Sequence, residues 1–184
     1  HKIKVLNPEN KEFVWKKVSD VKEGDIVPLA MNTLFGKTQE VLLPPIPELH
    51  WNCDFELKTP KNMSESLAEI IGYFMGDGSL HSKGLRFCVS NEDIDVVEHL
   101  GKIIKNLFNK DIKVSQCKGY KEVAINSVPL TMWWDACGFS KIKPSEEHYG
   151  KGYKPYIPDA ILHTNDKDVY SAFLRGLFEA DGTV

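Results

Sequence analysis

Two aspartates, Asp77 and Asp181, each end an apolar segment of helical spacing, and each is followed by a glycine. The nine residues that end at Gly78 and the nine that end at Gly182 share one pattern. Both have small residues at their third and seventh positions: Gly72 and Gly76 in the first segment, Gly176 and Ala180 in the second. Positions four apart share a helix face, so this spacing predicts two helices that approach each other closely.

If these helices pack in parallel, Asp77 and Asp181 meet at their C-terminal ends. A carboxylate at a helix C-terminus is disfavoured by roughly 0.3–1 kcal/mol, and a second carboxylate nearby adds repulsion. A bound divalent cation would relieve both effects, and carboxylate, carbonyl and water oxygens suit Mg²⁺. Paired sites of this kind suit phosphodiester cleavage. The alternative is that each Asp-Gly pair only ends a helix, with glycine at the cap.

The elements that must position these aspartates begin near Ser64, a predicted N-cap. From there the pattern predicts helix, hairpin, helix, hairpin, short helix, a polar loop over 139–158 and a final helix from about Asp166 to Ala180. The last helix echoes the first, as a weak internal repeat does. The fold class predicted for this part of the chain is α+β.

Residues 1–62 have a different character and predict short strands. Residues 3–6 and 12–15 flank the turn Asn7-Pro8-Glu9-Asn10, which is typical of a hairpin. The proline-rich stretch Leu43–Pro47 predicts a linker. We therefore divide the chain near residue 62.

Composition narrows the classes of function. The chain has 184 residues and a formal net charge of −3, so a nucleic-acid partner would need a local basic patch. No apolar run is long enough for a membrane span, and the N-terminus lacks the pattern of a signal peptide. The four cysteines show no CxxC pairing, which favours a reducing, intracellular location, cytoplasmic in the simplest case.

The two helix segments resemble the paired signature motifs of LAGLIDADG homing endonucleases, the DOD type carried by inteins. Residues 67–78 are similar to the first motif and residues 173–182 to the second, and the resemblance covers 64–184. It implies a fold of helix-hairpin-helix-hairpin-helix repeats, with the first repeat at 63–140, a loop at 141–165 and the start of a second repeat at 166–184. It also implies Mg²⁺-dependent cleavage of double-stranded DNA.

The resemblance further implies roles for particular residues. Asp77 and Asp181 would bind Mg²⁺, with the carbonyls of Gly76 and Ala180 as co-ligands. In intein endonucleases a lysine precedes an Ile-Pro just before the second motif helix, and Lys154 matches that place, with Lys151 as the second choice. Such a lysine would stabilise developing charge.

Residues 1–28 resemble part of a Hint domain, the β-rich splicing domain of inteins. The first five residues look like the end of the motif that contains its histidine, which gives His1 a splicing role in an intact parent. We read 1–62 as a partial Hint region and linker, and 63–184 as the endonuclease region. An intein needs both splice junctions, and a full second repeat needs about 104 further residues, the spacing of the two aspartates. The sequence thus predicts a fragment of an intein that neither splices nor necessarily cleaves by itself.

Contact with DNA is predicted from the hairpins. Six lysines and one aspartate lie between Gly101 and Lys121, a local charge of +5. Alternate strand residues share a face, and an antiparallel sheet can enter a major groove. The candidate DNA-binding residues are Lys83, Arg86, Lys113, Lys118 and Lys121.

The sequence predicts a site-specific homing endonuclease within a protein-splicing element, whose partners are DNA and the flanking host protein, the exteins. Two alternatives stay open. One is a LAGLIDADG module that binds DNA or RNA without cutting it. The other is an intein whose only function is splicing and whose endonuclease domain is inert.

Overall fold

The computed structural model describes residues 1–28, 37–48, 54–141 and 155–181. The chain divides into two compact units, residues 1–35 and residues 36–184. The division therefore comes earlier than the change of composition near residue 62.

The first unit contains the expected hairpin. Strand β1 (Lys2–Leu6) pairs in antiparallel register with β2 (Phe13–Lys17), with Lys4 opposite Trp15. A turn at residues 22–25 follows, in which the Asp25 carboxylate accepts hydrogen bonds from the Lys22 backbone N–H (2.7 Å) and from Lys16 Nζ (2.6 Å). Among the described residues of this unit only Val5 is a buried hydrophobic residue, while Trp15 is 64% exposed. A two-stranded hairpin with so little core has marginal stability by itself.

The second unit follows the predicted order of elements, with one addition. It runs α1 (Glu65–Asp77), β3 (Gly78–His81), β4 (Gly84–Ser90), α2 (Ile94–Phe108), β5 (Lys113–Gln116), β6 (Tyr120–Asn126), α3 (Val128–Ala136), α4 (Asp159–Leu162) and α5 (Lys167–Asp181). The short helix α4 lies within residues 141–165, which we expected to be loop, so that prediction is wrong for residues 159–162. The strands form one antiparallel sheet in the order β3-β4-β6-β5.

The helices begin where the sequence supplies caps. Ser64 Oγ accepts a hydrogen bond from the Leu67 N–H, and Ser127 Oγ accepts one from the Leu130 N–H, at the starts of α1 and α3. These bonds satisfy N–H groups that the first helical turn leaves free.

The core of the second unit lies between one face of the sheet and the helices. Leu85, Phe87 and Val89 alternate with more exposed residues along β4, and their side chains are buried. Two tryptophans of α3, Trp133 and Trp134, are fully buried. The Trp134 ring packs edge-on against Phe74 of α1, at 5.1 Å between ring centroids. The Phe74 ring also packs edge-on against Phe87 of β4, at 6.1 Å between ring centroids, so aromatic contacts fix α1 to both α3 and the sheet.

The proline-rich stretch is part of the second unit and not a free linker. We call residues 37–46 the strap. Its backbone exchanges hydrogen bonds with the segment before α1, from Leu43 N–H to Lys61 O (2.7 Å) and from Met63 N–H to Val41 O (2.9 Å). Trp133 Nε1 donates to the Pro44 carbonyl at 2.8 Å. The strap therefore closes one side of the core.

No helix in the described part of the chain combines the length and the apolar character needed to cross a bilayer.

Candidate metal and nucleic-acid site

Helices α1 and α5 lie side by side in parallel, in backbone contact. A Cβ atom added at Gly72 would lie 2.0 Å from the carbonyl oxygen of Phe173, and one added at Gly176 would lie 2.0 Å from the carbonyl oxygen of Glu69. The two contacts are equivalent, because Gly176 corresponds to Gly72, and Phe173 to Glu69, by the same shift of 104 positions. A local two-fold axis therefore relates α1 and α5. The close packing predicted from the small residues is confirmed.

The pairing continues to the C-terminal ends of the helices. A Cβ at Gly76 would lie 2.5 Å from the Cβ of Ala180 and 3.3 Å from Oδ2 of Asp181. Asp77 and Asp181 are the last residues of α1 and α5. The structure thus brings the two predicted aspartates to the same end of the helix pair, with Gly76 and Ala180 between them.

Asp77 is half-buried, whereas Asp181 is exposed. Burial raises the pKa of the Asp77 carboxyl above its ordinary value, the nearby Asp181 raises it further, and Lys141 acts in the opposite direction. A cation bound beside such a carboxyl would stabilise its charged form and lower its pKa.

Gly78 ends α1 for reasons of space and not of backbone conformation. Its φ and ψ are −86° and 155°, which is extended backbone that other residues adopt. A Cβ there would lie 2.5 Å from the Cα of Phe74 and 2.4 Å from its ring. The first Asp-Gly pair is therefore more than a glycine cap, because the glycine lets β3 leave the helix end directly under Phe74.

The structure adds Lys141, which the sequence analysis did not identify. Its Nζ donates a hydrogen bond to the Gly76 carbonyl at 2.5 Å and lies 5.9 Å from the centroid of the Phe74 ring. Burial lowers the pKa of the Lys141 ammonium, while Asp181 and Asp77 raise it.

A compact turn after α3 holds Lys141 in place. Phe139 is buried, and its backbone exchanges hydrogen bonds with Trp134: the Phe139 N–H donates to Trp134 O, and Trp134 Nε1 donates to Phe139 O, each at 3.1 Å. Gly138 has a φ of 72°, which favours glycine. The only signal in the sequence was a lysine placed two residues after a buried aromatic residue.

The oxygen atoms at this end of the helix pair fit a hard divalent cation. Two carboxylates and a helix-terminal carbonyl are ligands of the kind that Mg²⁺ takes, completed by water. Among the described residues no three His, Cys, Asp or Glu side chains cluster as a metal site, so backbone and water oxygens would have to complete the coordination. Lys141 already holds one of these oxygens.

The structure does not test the remaining predictions for catalytic and splicing residues. Lys154 and Lys151 lie outside the described residues. His1 belongs to the first unit, where its carbonyl accepts a hydrogen bond from the Val18 N–H at 3.1 Å.

One face of the sheet is polar, and it adjoins the paired helix ends. Strand register puts Arg86 of β4 and Lys113 of β5 on this face, both opposite Ala124 of β6. Cys88 lies on the same face two residues beyond Arg86. Its thiol pKa is raised, first by burial and then by the charge of Asp77. Asp77 directly precedes Gly78, the first residue of the edge strand β3, so the end of α1 adjoins the sheet.

Of the remaining predicted DNA-binding residues, two lie in turns and one lies on the opposite face of the sheet. Lys83 and Lys118 are exposed in the turns that join β3 to β4 and β5 to β6. Lys121 pairs with Val89 and therefore belongs to the opposite face, where its Nζ donates to the Asn91 carbonyl at 2.8 Å. Arg86 donates to Asn126 Oδ1 at 3.0 Å and lies 3.7 Å from Glu122, so its charge is partly compensated.

A second polar cluster joins α1, α2 and α5. The Glu69 carboxylate receives His99 Nε2 at 2.7 Å and Arg175 Nη2 at 2.8 Å. Burial by itself would raise the pKa of Glu69, but the hydrogen bonds and charges of Arg175 and His99 outweigh it and hold the pKa below its ordinary value. The cluster borders a cavity of about 260 Å³ that Tyr73 and Glu179 also line.

The chain is similar to short stretches of several much longer proteins. It is 30% identical over 129 residues, 70% of the chain and 11% of the relative, to glutamine--fructose-6-phosphate aminotransferase of Methanocaldococcus jannaschii. It is 24% identical over 184 residues, 98% of the chain and 8% of the relative, to the replication factor C small subunit of the same organism. It is 29% identical over 133 residues, 66% of the chain and 7% of the relative, to a DNA polymerase of Acanthamoeba polyphaga mimivirus. The chain thus spans about a tenth of each relative or less. No family model matches it.

Proposed function

We propose that the chain is part of an intein, and that its second unit belongs to the LAGLIDADG-type endonuclease region, which in the intact parent cleaves both strands of a DNA site with the help of Mg²⁺. The first unit would then be a piece of the Hint splicing domain. The exteins of the parent and double-stranded DNA are the partners that follow from this proposal.

The observation that carries the proposal is the local two-fold axis between α1 and α5. Two segments 104 residues apart pack backbone to backbone in equivalent ways, and each ends in an aspartate at the same end of the pair. A symmetric pair of carboxylates matches the two strands of a DNA duplex, whose scissile phosphates are also related by a two-fold axis.

The comparisons support the idea of an inserted element. An aminotransferase, a replication factor subunit and a DNA polymerase have different functions, yet each contains a stretch similar to this chain that makes up 7–11% of its length. A segment that serves one of these functions has no reason to recur in the others. An element carried inside unrelated hosts would recur in this way.

The residues of the site have separate tasks in this proposal. Asp77 and Asp181 hold the cation, which, when bound, supplies Lewis-acid stabilisation of the charge that develops on the phosphate oxygens. The ammonium of Lys141 adds a second positive charge beside the same phosphate, a form of electrostatic stabilisation. Arg86 and Lys113 on the polar face, and Lys83 and Lys118 in the turns, position the duplex through its backbone and base edges.

A second candidate is a module that binds DNA without cutting it. The contact between Lys141 and the Gly76 carbonyl favours this candidate, because it partly neutralises the helix ends without a metal.

Selection from a randomised duplex library provides the test for cleavage. Duplexes that the protein retains in Ca²⁺ are incubated with it in Mg²⁺, and the products are sequenced. With the complete second repeat of the parent in place, we expect cleavage by the original sequence, and a loss of roughly a hundredfold or more in Asp77→Asn and Asp181→Asn with binding in Ca²⁺ retained. Asp168→Asn, an exposed aspartate in the first turn of α5, is the matched control and should cleave normally.

The outcomes separate the candidates. Binding without cleavage in Mg²⁺ favours the non-cutting module. Equal cleavage by Asp77→Asn and by Asp168→Asn contradicts the proposed site, and failure to retain any duplex contradicts both candidates.

A further inference from the structure

Lys141 reaches the end of α1 from the turn after α3, 65 residues further along the chain. Its ammonium lies 2.5 Å from the Gly76 carbonyl, in the last turn of α1, at the end of the helix pair where Asp77 and Asp181 meet. The side chain is half-buried, and the Phe74 ring lies beside it. A solvated surface lysine has none of these features.

The Lys141 ammonium compensates the negative charge at the helix ends, as a bound metal ion would. The C-terminal end of a helix carries about half a negative charge, and here two such ends and two carboxylates come together. A buried carboxylate needs a compensating charge, and Lys141 is placed to supply it.

Lys141 and a metal ion would compete for the same place. The Gly76 carbonyl is one of the oxygens that would bind the cation, and Mg²⁺ binds its ligands at about 2.0–2.1 Å. With the ammonium also on this oxygen, two positive charges would stand within about 4–5 Å of each other in a partly buried site, which is strongly unfavourable.

We propose that Lys141 is a built-in counter-ion that holds the metal-free site together, and that a divalent cation binds there only by displacing the Lys141 ammonium from the Gly76 carbonyl. This inference rests on the proposed function for the metal site itself. It adds that metal binding and the Lys141 contact exclude each other, so that the cation releases a lysine beside the DNA-binding face.

The first test measures Mn²⁺ affinity without DNA, by isothermal titration calorimetry. Lys141→Gln removes the competitor and should bind Mn²⁺ about tenfold more tightly, a size typical of coupling between ligands. Lys102→Gln removes the same charge from an exposed position on α2 and should leave the affinity unchanged.

The second test separates displacement from a general effect of charge, and it uses the unaltered protein. Lysines are acetylated for a short time in EDTA or in Mn²⁺, and the extent at each lysine is read by mass spectrometry. Lys141 should be protected in EDTA and labelled several times faster in Mn²⁺, while Lys102 stays constant. In Asp77→Asn the acceleration at Lys141 should be lost.

The two tests distinguish a failure of the displacement from a failure of the metal site. If Mn²⁺ binds but the labelling of Lys141 stays constant or slows, displacement is overturned and the metal site stands. If neither the unaltered protein nor Lys141→Gln binds Mn²⁺, the metal site of the proposed function fails, and this inference fails with it.

Discussion

Gly72 is the residue at which α1 and α5 come closest. We expect Gly72→Ala to lower the free energy of unfolding by roughly 3 kcal/mol, because a methyl group 2.0 Å from the Phe173 carbonyl must push the two backbones apart. Gly101→Ala in the middle of α2 is the control, since its Cβ would meet only the tip of the Ile112 side chain, at 3.1 Å. That change should be neutral or slightly stabilising, as alanine is the better helix former. Urea denaturation of both variants checks this, and equal stabilities would contradict the close contact.

At the scale of single residues, the site residues that repeat at a fixed spacing could be predicted from the sequence, whereas a site residue without a repeat could not. Asp77, Asp181 and the small residues between the helices could be predicted because each occurs twice, at one spacing. Lys141 has no counterpart and no characteristic spacing, and only the packing of Phe139 and Trp134 brings it to Gly76. Whether a given lysine reaches a site is decided by tertiary contacts that one sequence does not encode in any local pattern.

The elements around the site are tied together by Glu69, which joins α1 to both α2 and α5. We expect Glu69→Gln to destabilise the protein by about 1 kcal/mol at neutral pH, since Arg175 and His99 are more than half exposed and their ion pairs are weakened by solvent. Because the pKa of Glu69 is lowered in the folded state, its contribution is present above the unfolded pKa and is lost as the pH falls through the folded pKa. The difference between the variant and the original should therefore shrink in acid, below the ordinary value of 4.5.

Thermal unfolding measured from neutral pH to pH 3 provides the check. Glu98→Gln, an exposed glutamate on α2, is the control and should match the original protein throughout. A destabilisation by Glu69→Gln that stays constant into acid would mean that charge is not the source of the effect.

The order of helices and hairpins was also predictable, because periodicity and caps such as Ser64 and Ser127 mark the elements directly. The strap was not predictable in this way. Prolines exclude a segment from helices and central strands, but they do not determine whether it is a solvent-exposed linker or packs against the rest of the unit. The hydrogen bond from Trp133 to Pro44 and the backbone bonds to Lys61 and Met63 decide that here.

The whole molecule is less symmetric than its helix pair. Phe74 of α1 and Phe178 of α5 occupy positions related by the same shift of 104, yet Phe74 is fully buried and Phe178 is 63% exposed. The sheet and Trp134 cover only the α1 side. We expect Phe74→Ala to cost about 3–5 kcal/mol of stability, and Phe178→Ala to change it by no more than about 0.5 kcal/mol. Guanidinium denaturation of this matched pair tests the asymmetry, and a large loss in Phe178→Ala would show that its face is covered in solution.

The contacts that complete the second unit join distant parts of the chain, which bears on the order of its folding. The Asn165 side chain meets the Lys37 carbonyl across 128 positions, and Arg175 meets Glu69 across 106. Closing such long loops lowers the conformational entropy of the chain before any stabilising contact has formed. A helix and its adjoining hairpin form from local contacts and therefore form faster. We therefore expect the two aspartates to come together late in folding, after the hairpins and after α3. A nascent or partly folded chain exposes its lysines without assembling a carboxylate pair, so the chemistry of the candidate site arrives only with the finished unit.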